Sequence, residues 1–391
     1  MAFHILHTLK HGAELPPEVV NYMYSTGAFM ILKDFPEGHE FGIDYKSWTV
    51  GPKFMGLKMI PAGVHFVYCS VKGAPRIGFF HNFKSEEIVV KKWDKQKEAF
   101  SDEIISDEEV NRFRLNLKDI DSTLGPYPFE NYRSWYALTD FVNGQTVERL
   151  NPLKGKISAQ AELVSMETCL MENEELNATV GCSNSVDREH PVRTRFVDQE
   201  GLPIMKIREG YEIRFSPIPQ LRADEKRVGI DYTDRLERLI RQLNGDWKQL
   251  LAEVQFAFAC FLIGQVFEGF EQWKRFIHLL CCCPSALGSL SEMFISFIRV
   301  SRLPFGICIQ ATYRCLSLVF FFVQVLFFEL KECPTDFFVD IVSRDNFLTT
   351  TLSMLFANIR DSDCAPPELK KKSMQFKTYL TKEFKWDFEC D

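Results

Sequence analysis

The chain has 391 residues, enough for two domains, and its 46% hydrophobic and 25% charged content is ordinary for a globular protein. The formal net charge of −7 excludes the basic footprint of a nucleic-acid-binding protein at the level of the whole chain. None of the 12 cysteines has the Cys-x-x-Cys spacing typical of zinc sites, so we expect no metal and reduced thiols in an intracellular protein.

Residues 26–150 are predicted to form a β-rich N-terminal domain with helices. Between residues 28 and 93, short β-type runs are separated by Gly/Pro turns, a spacing that favours an antiparallel β-sandwich or barrel. Large aromatic side chains recur in these runs and are the expected core: Trp48, Phe54, Phe66, Phe79 and Phe80.

Helices are predicted to follow the strands. Ser106 and Glu109 have the spacing of a capping box, which predicts a helix running to about residue 124. Its apolar positions share one face, which would pack on the sheet: Val110, Phe113, Leu117 and Ile120. A second helix is predicted over residues 130–142, ending at an Asn-Gly pair.

Residues 151–219 are predicted to be a linker, at least partly flexible, because the periodicity fades and an acidic run is followed by Gly, Ser, Asn and Asp. Residues 220–391 return to helical spacing and predict an all-α C-terminal domain. Its clearest helices are predicted over residues 247–265, 266–283, 336–359 and 367–384.

Several ordered motifs resemble the Aar-two (A1-alpha-2 repression) splicing-factor family. They occupy residues 41–66, 75–80 (PRIGFF), 124–128 (LGPYP), 212–216 (EIRFS), 336–342 (DFFVDIV) and 384–388 (FKWDF). The resemblance implies a β-sandwich-like N-terminal domain, a linker and a VHS-like helical C-terminal domain. Residues 1–25 form an N-terminal extension that the family pattern does not match.

The resemblance also implies a function. Such a protein would be a non-enzymatic pre-mRNA splicing assembly factor that binds the Prp-eight scaffold protein during maturation of the U-five small nuclear ribonucleoprotein (snRNP). It would keep the Brr-two helicase off until tri-snRNP assembly and would be cytoplasmic and nuclear. No catalytic residue, cofactor, membrane or sequence-specific nucleic-acid contact is implied. The acidic balance likewise favours a protein partner over RNA.

The last family motif supplies the candidate partner contacts. Its charged positions, together with a lysine just before it, are Lys382, Lys385 and Asp387. The competing interpretation is that these side chains only solvate the end of a helix.

Two other functional classes remain open. An enzyme of unknown class would draw on Asp44, on His65 in a strand, and on the adjacent cysteines 281–283, although no nucleophile–base–orienter set is visible in the sequence. A membrane-associated protein would use the apolar run over residues 316–328, which is shorter than the roughly 20 residues that a spanning helix needs.

Residues 300–324 interrupt the family pattern, which ends near Ile298 and resumes near Val325. One interpretation is a genuine insert that packs or anchors. The favoured interpretation is a translated intron, because residues 299–301 can be encoded by a donor-like sequence and residues 320–324 by a pyrimidine-rich acceptor-like tract. Sequencing transcripts across this point separates the two.

Overall fold

The structure is a computed structural model that describes residues 16–101, 103–165, 203–220, 231–298 and 347–388. Within these ranges strands dominate the N-terminal part and helices the C-terminal part. The α+β, two-domain class predicted from the sequence is therefore confirmed.

The N-terminal part consists of two sheets with helices at their margins. In chain order its elements are α1 (Pro17–Thr26), β1 (Ala28–Lys33), β2 (Glu40–Ile43), β3 (Lys46–Thr49), β4 (Gly56–Ile60), β5 (Gly63–Ser70), β6 (Ile77–Phe83), β7 (Ile88–Asp94), β8 (Ala99–Phe100), α2 (Asp107–Leu115), α3 (Leu117–Ile120), β9 (Leu124–Pro126), α4 (Tyr132–Thr139) and α5 (Gly144–Leu150). Helix α1 lies within the predicted extension and packs through Val19 and Met23 beside Met59 of β4.

The first sheet has the order β8-β7-β1-β4-β9 and is mixed, so the prediction of purely antiparallel strands is wrong for this sheet. Strand β1 runs parallel to β7, and β4 runs parallel to β9. Parallel neighbours need long connections. Here the second sheet separates β1 from β7, and helices α2 and α3 precede β9.

The second sheet has the order β10-β6-β5-β2-β3 and is antiparallel throughout, as predicted. Strands β2 and β3 are joined by a two-residue turn, because Ile43 pairs with Lys46. Asp44 in this turn has φ of 54°, a left-handed conformation that Asp tolerates better than most residues. The turn places the Asp44 side chain beside β5.

The helix that follows Ser106 begins at the predicted residue, with the Ser106 hydroxyl accepting from the Glu109 amide at 3.4 Å. It is interrupted at Asn116, whose amide donates to the carbonyls of both Arg112 and Phe113. A tightened last turn of this kind ends a helix. The predicted apolar face does pack on the first sheet, through Val110, Phe113, Leu117 and Ile120.

Both described ends of the predicted linker carry short strands. Strand β10 (Ile157–Ser158) pairs with β6, and β11 (Leu163–Ser165) pairs with β12 (Met205–Ile207). Ile157 and Ile213 are buried. These ends are thus folded onto the protein, residues 166–202 lie outside the described ranges, and the domain boundaries stay a prediction.

The helical part contains α6 (Thr233–Gln242), α7 (Trp247–Leu262), α8 (Phe267–Cys281), α9 (Ser291–Ile298), α10 (Phe347–Asp361) and α11 (Pro367–Phe384). The predicted helices over residues 247–265, 266–283 and 367–384 correspond to α7, α8 and α11. Every residue of α7 from Leu250 to Cys260 is buried, so α7 is the central helix.

One hydrophobic core joins the two parts. The second sheet turns one face toward the first sheet, through residues such as Phe41 and Val67. Its other face, with Phe66 and Phe80, packs into the same cluster as the helical part. The rings of Phe80 and Phe256 are 4.3 Å apart, which is close aromatic contact.

Two sequence-based interpretations lie outside the described residues: the insert at residues 300–324 and the apolar run at residues 316–328. Across the described ranges, no helix has both the length and the apolar character needed to cross a bilayer.

Candidate functional site

The last motif forms an anchored segment at the end of α11. Lys385 caps the helix in a left-handed conformation with φ of 59° and ψ of 25°. Burial then alternates, so that Phe384, Trp386 and Phe388 are buried. The Phe384 and Trp386 rings stack at 4.9 Å, and Phe388 meets Phe356 of α10 edge-on at 5.1 Å. The aromatic side chains fix the segment to the helical core.

The candidate contacts occupy the outward positions of this segment. Lys382, Lys385 and Asp387 are all exposed. The Lys385 ammonium donates to the Lys382 carbonyl at 3.0 Å, a contact that also complements the negative end of the helix dipole. The anchored backbone therefore presents two lysines close together at the surface, and their role as partner contacts stays a prediction.

Asp44 and His65 do meet, in the core of the N-terminal part. An Asp44 oxygen lies 2.7 Å from Nδ1 of His65, the Tyr127 hydroxyl donates to the same oxygen at 2.6 Å, and the Phe66 amide donates to the other at 3.0 Å. Nε2 of His65 is 3.0 Å from the Pro61 carbonyl oxygen. Burial and the Asp44 carboxylate raise the pKa of Tyr127 well above its usual value, so Tyr127 remains a donor.

This cluster has the geometry of a buried structural network. Asp44 and His65 are at most 1% exposed, and both ring nitrogens of His65 already face acceptors. The cysteines of the same hypothesis lie at the end of α8, in the other part of the protein. Burial raises the pKa of all three thiols, that of Cys282 to about 11, which keeps them out of the reactive thiolate form. Within the described ranges, no three His, Cys, Asp or Glu side chains are placed to hold a metal ion.

A second polar cluster joins the two parts of the protein at α7. Glu253, fully buried, accepts from Nη1 of Arg149 at 2.7 Å and from the Ser216 hydroxyl at 2.9 Å. It also accepts from the Ser216 amide. Arg149 belongs to α5 and Ser216 to the EIRFS motif, so one carboxylate ties three separate regions of the chain together. Breaking a buried pair of this kind is strongly destabilising.

Gln255, one helical face away, binds the N-terminal part. Its amide nitrogen donates to Asp140 at 2.9 Å, and its oxygen accepts from the Phe141 amide at 2.9 Å. Arg76 adds a bond from the second sheet to the Ile263 carbonyl at 2.8 Å. Both hydrogen-bonding ends of the Gln255 side chain are thus used to orient α7 against the corner after α4.

Sequence analysis did not identify Glu253 or Gln255 as joining residues. The available signal was a carboxylate and an amide within the otherwise apolar run of residues 250–261. A buried polar side chain needs a partner, so their position predicted partners somewhere in the fold without saying where.

Asp140 gives this junction a pH dependence. Burial raises its pKa from 3.8 to about 7. The folded protein therefore holds the proton more tightly than the unfolded chain does. The stabilisation is present below about pH 4 and is lost as the pH rises through about 7. We expect Asp140→Asn, which stays uncharged, to lose less free energy of unfolding than wild type between about pH 5 and about pH 8 in urea titrations.

The matched control is the exposed Asp119→Asn, which should keep the wild-type pH dependence. Burial raises the pKa of Glu268 to about 7 as well, so Asp140→Asn should reduce the loss without abolishing it. Identical pH profiles for Asp140→Asn and wild type would show that Asp140 does not titrate in this window.

Comparison with known proteins identifies the family. The AAR2 N-terminal domain matches residues 26–152, and the AAR2 C-terminal repeat region matches residues 218–389. The Caenorhabditis elegans protein AAR2 homolog is 63% identical over 381 residues, covering 97% of this chain and 100% of that relative. The Mus musculus and Homo sapiens homologs are 36% and 34% identical, each covering 97% of this chain and 94% and 95% of their own lengths. The resemblance seen in the motifs is confirmed, and the chain belongs to the AAR2 family.

Proposed function

We propose that the protein is a non-enzymatic assembly factor in pre-mRNA splicing. In this proposal it binds the Prp-eight-type scaffold protein during U-five snRNP maturation, keeps the Brr-two helicase off until tri-snRNP assembly, and works in both cytoplasm and nucleus. Membership of the AAR2 family, matched over both parts of the chain, carries the proposal and supports a splicing-related role.

The physical character of the molecule agrees with a protein-binding role. The net charge of −7 disfavours a large phosphate-binding surface, since affinity for nucleic acid comes mainly from clustered lysines and arginines. A continuous core and the Glu253 and Gln255 contacts hold the two parts together, so a partner can meet a preorganised surface. The anchored lysines Lys382 and Lys385 and the neighbouring Asp387 are the proposed contacts on that surface.

Affinity purification of the tagged protein from separate cytoplasmic and nuclear extracts tests the proposal. We expect the Prp-eight-type scaffold to co-purify with U-five snRNP proteins in complexes that lack the Brr-two helicase. Recovery of mature tri-snRNP alone, or of no snRNP proteins, would contradict it.

The contact residues are tested in the same purification. Lys382→Glu with Lys385→Glu should reduce recovery of the scaffold roughly tenfold or more if both charges face the partner. The control, Lys371→Glu with Lys377→Glu, makes the same charge change elsewhere on α11 and should leave recovery near wild type. Equal losses from both pairs would indicate a general charge effect instead of a defined contact.

A further inference from the structure

A cavity of about 630 Å³ opens beside α8, away from the last motif. Its walls come from residues 215–218, from Tyr232 and Arg235 at the start of α6, from one face of α8, and from Phe347. This volume lies within the range of roughly 300–1,000 Å³ that ligand sites occupy.

The wall formed by residues 215–218 is fixed by the helices. The Ser216 carbonyl accepts from Gln272 of α8 at 3.4 Å, and the Pro219 carbonyl just beyond accepts from Nε of Arg235 at 2.7 Å. The segment has no helix or strand of its own, so these side-chain contacts hold its shape. The cavity is therefore largely preformed.

The charges that line the cavity do not balance. Its cations are Arg235, Lys274 and Arg275, and its one described carboxylate is Glu271. Lys274 pairs with Glu271 at 2.6 Å. This leaves two guanidinium groups without a described carboxylate partner, in a chain whose net charge is −7.

Both guanidinium groups keep donors available. Arg235 lies over the Tyr232 ring at 4.6 Å and donates through Nε, and no bond from its terminal nitrogens is found to a described residue. Arg275 is exposed and likewise makes no ion pair or hydrogen bond with the described part of the chain. A guanidinium fork matches the two oxygens of a carboxylate, and the rest of this wall supplies apolar and aromatic surface.

The other titratable groups nearby leave this imbalance in place. Burial, and then the charge of Arg235, lower the pKa of His278, which keeps its ring uncharged at neutral pH. Burial raises the pKa of the neighbouring Cys282 thiol to about 11, so it adds no negative charge. The cavity thus remains cationic at neutral pH.

We propose that this cavity binds an acidic segment of a protein partner. Carboxylates of the segment pair with Arg235 and Arg275, and an aromatic or proline side chain packs against Tyr232 and Pro217. A nucleic acid fits less well, because two unpaired cations are a small fraction of the phosphate neutralisation that such binding uses. The inference concerns the charge and shape of the cavity and does not depend on the identity of the proposed splicing partner.

The test selects ligands without assuming their sequence. A phage library of random dodecapeptides is panned on the immobilised full chain, and an enriched peptide is resynthesised with a fluorescent label for anisotropy measurements. We expect enriched peptides to carry an excess of Asp and Glu. Arg275→Glu should weaken binding of the labelled peptide at least about tenfold.

Two controls separate the cavity from general charge. Lys371→Glu makes the same charge change at an exposed position of α11 and should alter binding by less than about twofold. A peptide with Gln and Asn in place of Glu and Asp should bind at least about tenfold more weakly. Failure to enrich acidic peptides, or equal weakening by both protein variants, would overturn the proposal. Tighter binding of a single-stranded RNA oligonucleotide at the same Arg275-dependent site would also overturn it.

Discussion

Asp44→Ala is expected to lower the free energy of unfolding by about 3–5 kcal/mol. The Asp44 carboxylate accepts three hydrogen bonds, from His65, Tyr127 and the Phe66 amide. The Pro61 carbonyl faces the other nitrogen of the His65 ring, so the hydrogen-bond pattern places a proton on each nitrogen. Alanine would then leave a buried imidazolium and a buried hydroxyl without their acceptor. Removing one member of such a buried network costs more than removing one of its peripheral donors.

Urea denaturation measures this loss, and two further variants locate its cause. Tyr127→Phe removes a donor and leaves no acceptor stranded in isolation, so we expect a loss of about 1 kcal/mol. Asp44→Asn keeps an oxygen and a side chain that tolerates the left-handed backbone at this turn, so its loss should be intermediate. The exposed Asp119→Ala should be close to wild type. A loss for Asp44→Ala no larger than that for Tyr127→Phe would mean that other groups satisfy the donors.

Local patterns predicted local elements well. Helix α11 was predicted over its full length because a proline begins it and apolar residues recur at helical spacing. Strand positions followed from β-type runs between turns. The mixed first sheet was not predictable in this way, since the pairing of β1 with β7 joins residues about 60 positions apart and depends on the whole chain.

The sites show the same division. Asp44 and His65 were noticed from their residue types, but the sequence did not reveal that Tyr127, more than 60 residues later, completes a buried network around them. The exposed positions of Lys382, Lys385 and Asp387 agree with the pattern of aromatic and charged residues in the last motif. The cavity beside α8 had no sequence signal, because its walls come from regions that meet only in the folded protein.

Phe256→Ala is expected to weaken the junction between the two parts of the protein. Phe256 is fully buried in α7, and its ring lies 4.3 Å from Phe80 of β6 and 6.4 Å from Phe215. Replacing a buried phenylalanine with alanine removes apolar contact and leaves a cavity, which costs about 3–5 kcal/mol. Here the lost contacts are those that bind the second sheet to the helical part, so the loss falls on their coupling.

We therefore expect wild type to unfold in one transition, because one core spans both parts, and Phe256→Ala to unfold in two. Far-ultraviolet circular dichroism follows the helices, and tryptophan fluorescence reports on both parts together. The matched control is Phe376→Ala in α11, since Phe376 is also fully buried but contacts Phe356 within the helical part. It should lose a similar free energy of unfolding while keeping a single transition. If both variants split the transition, or neither does, Phe256 does not couple the two parts in the way that its contacts indicate.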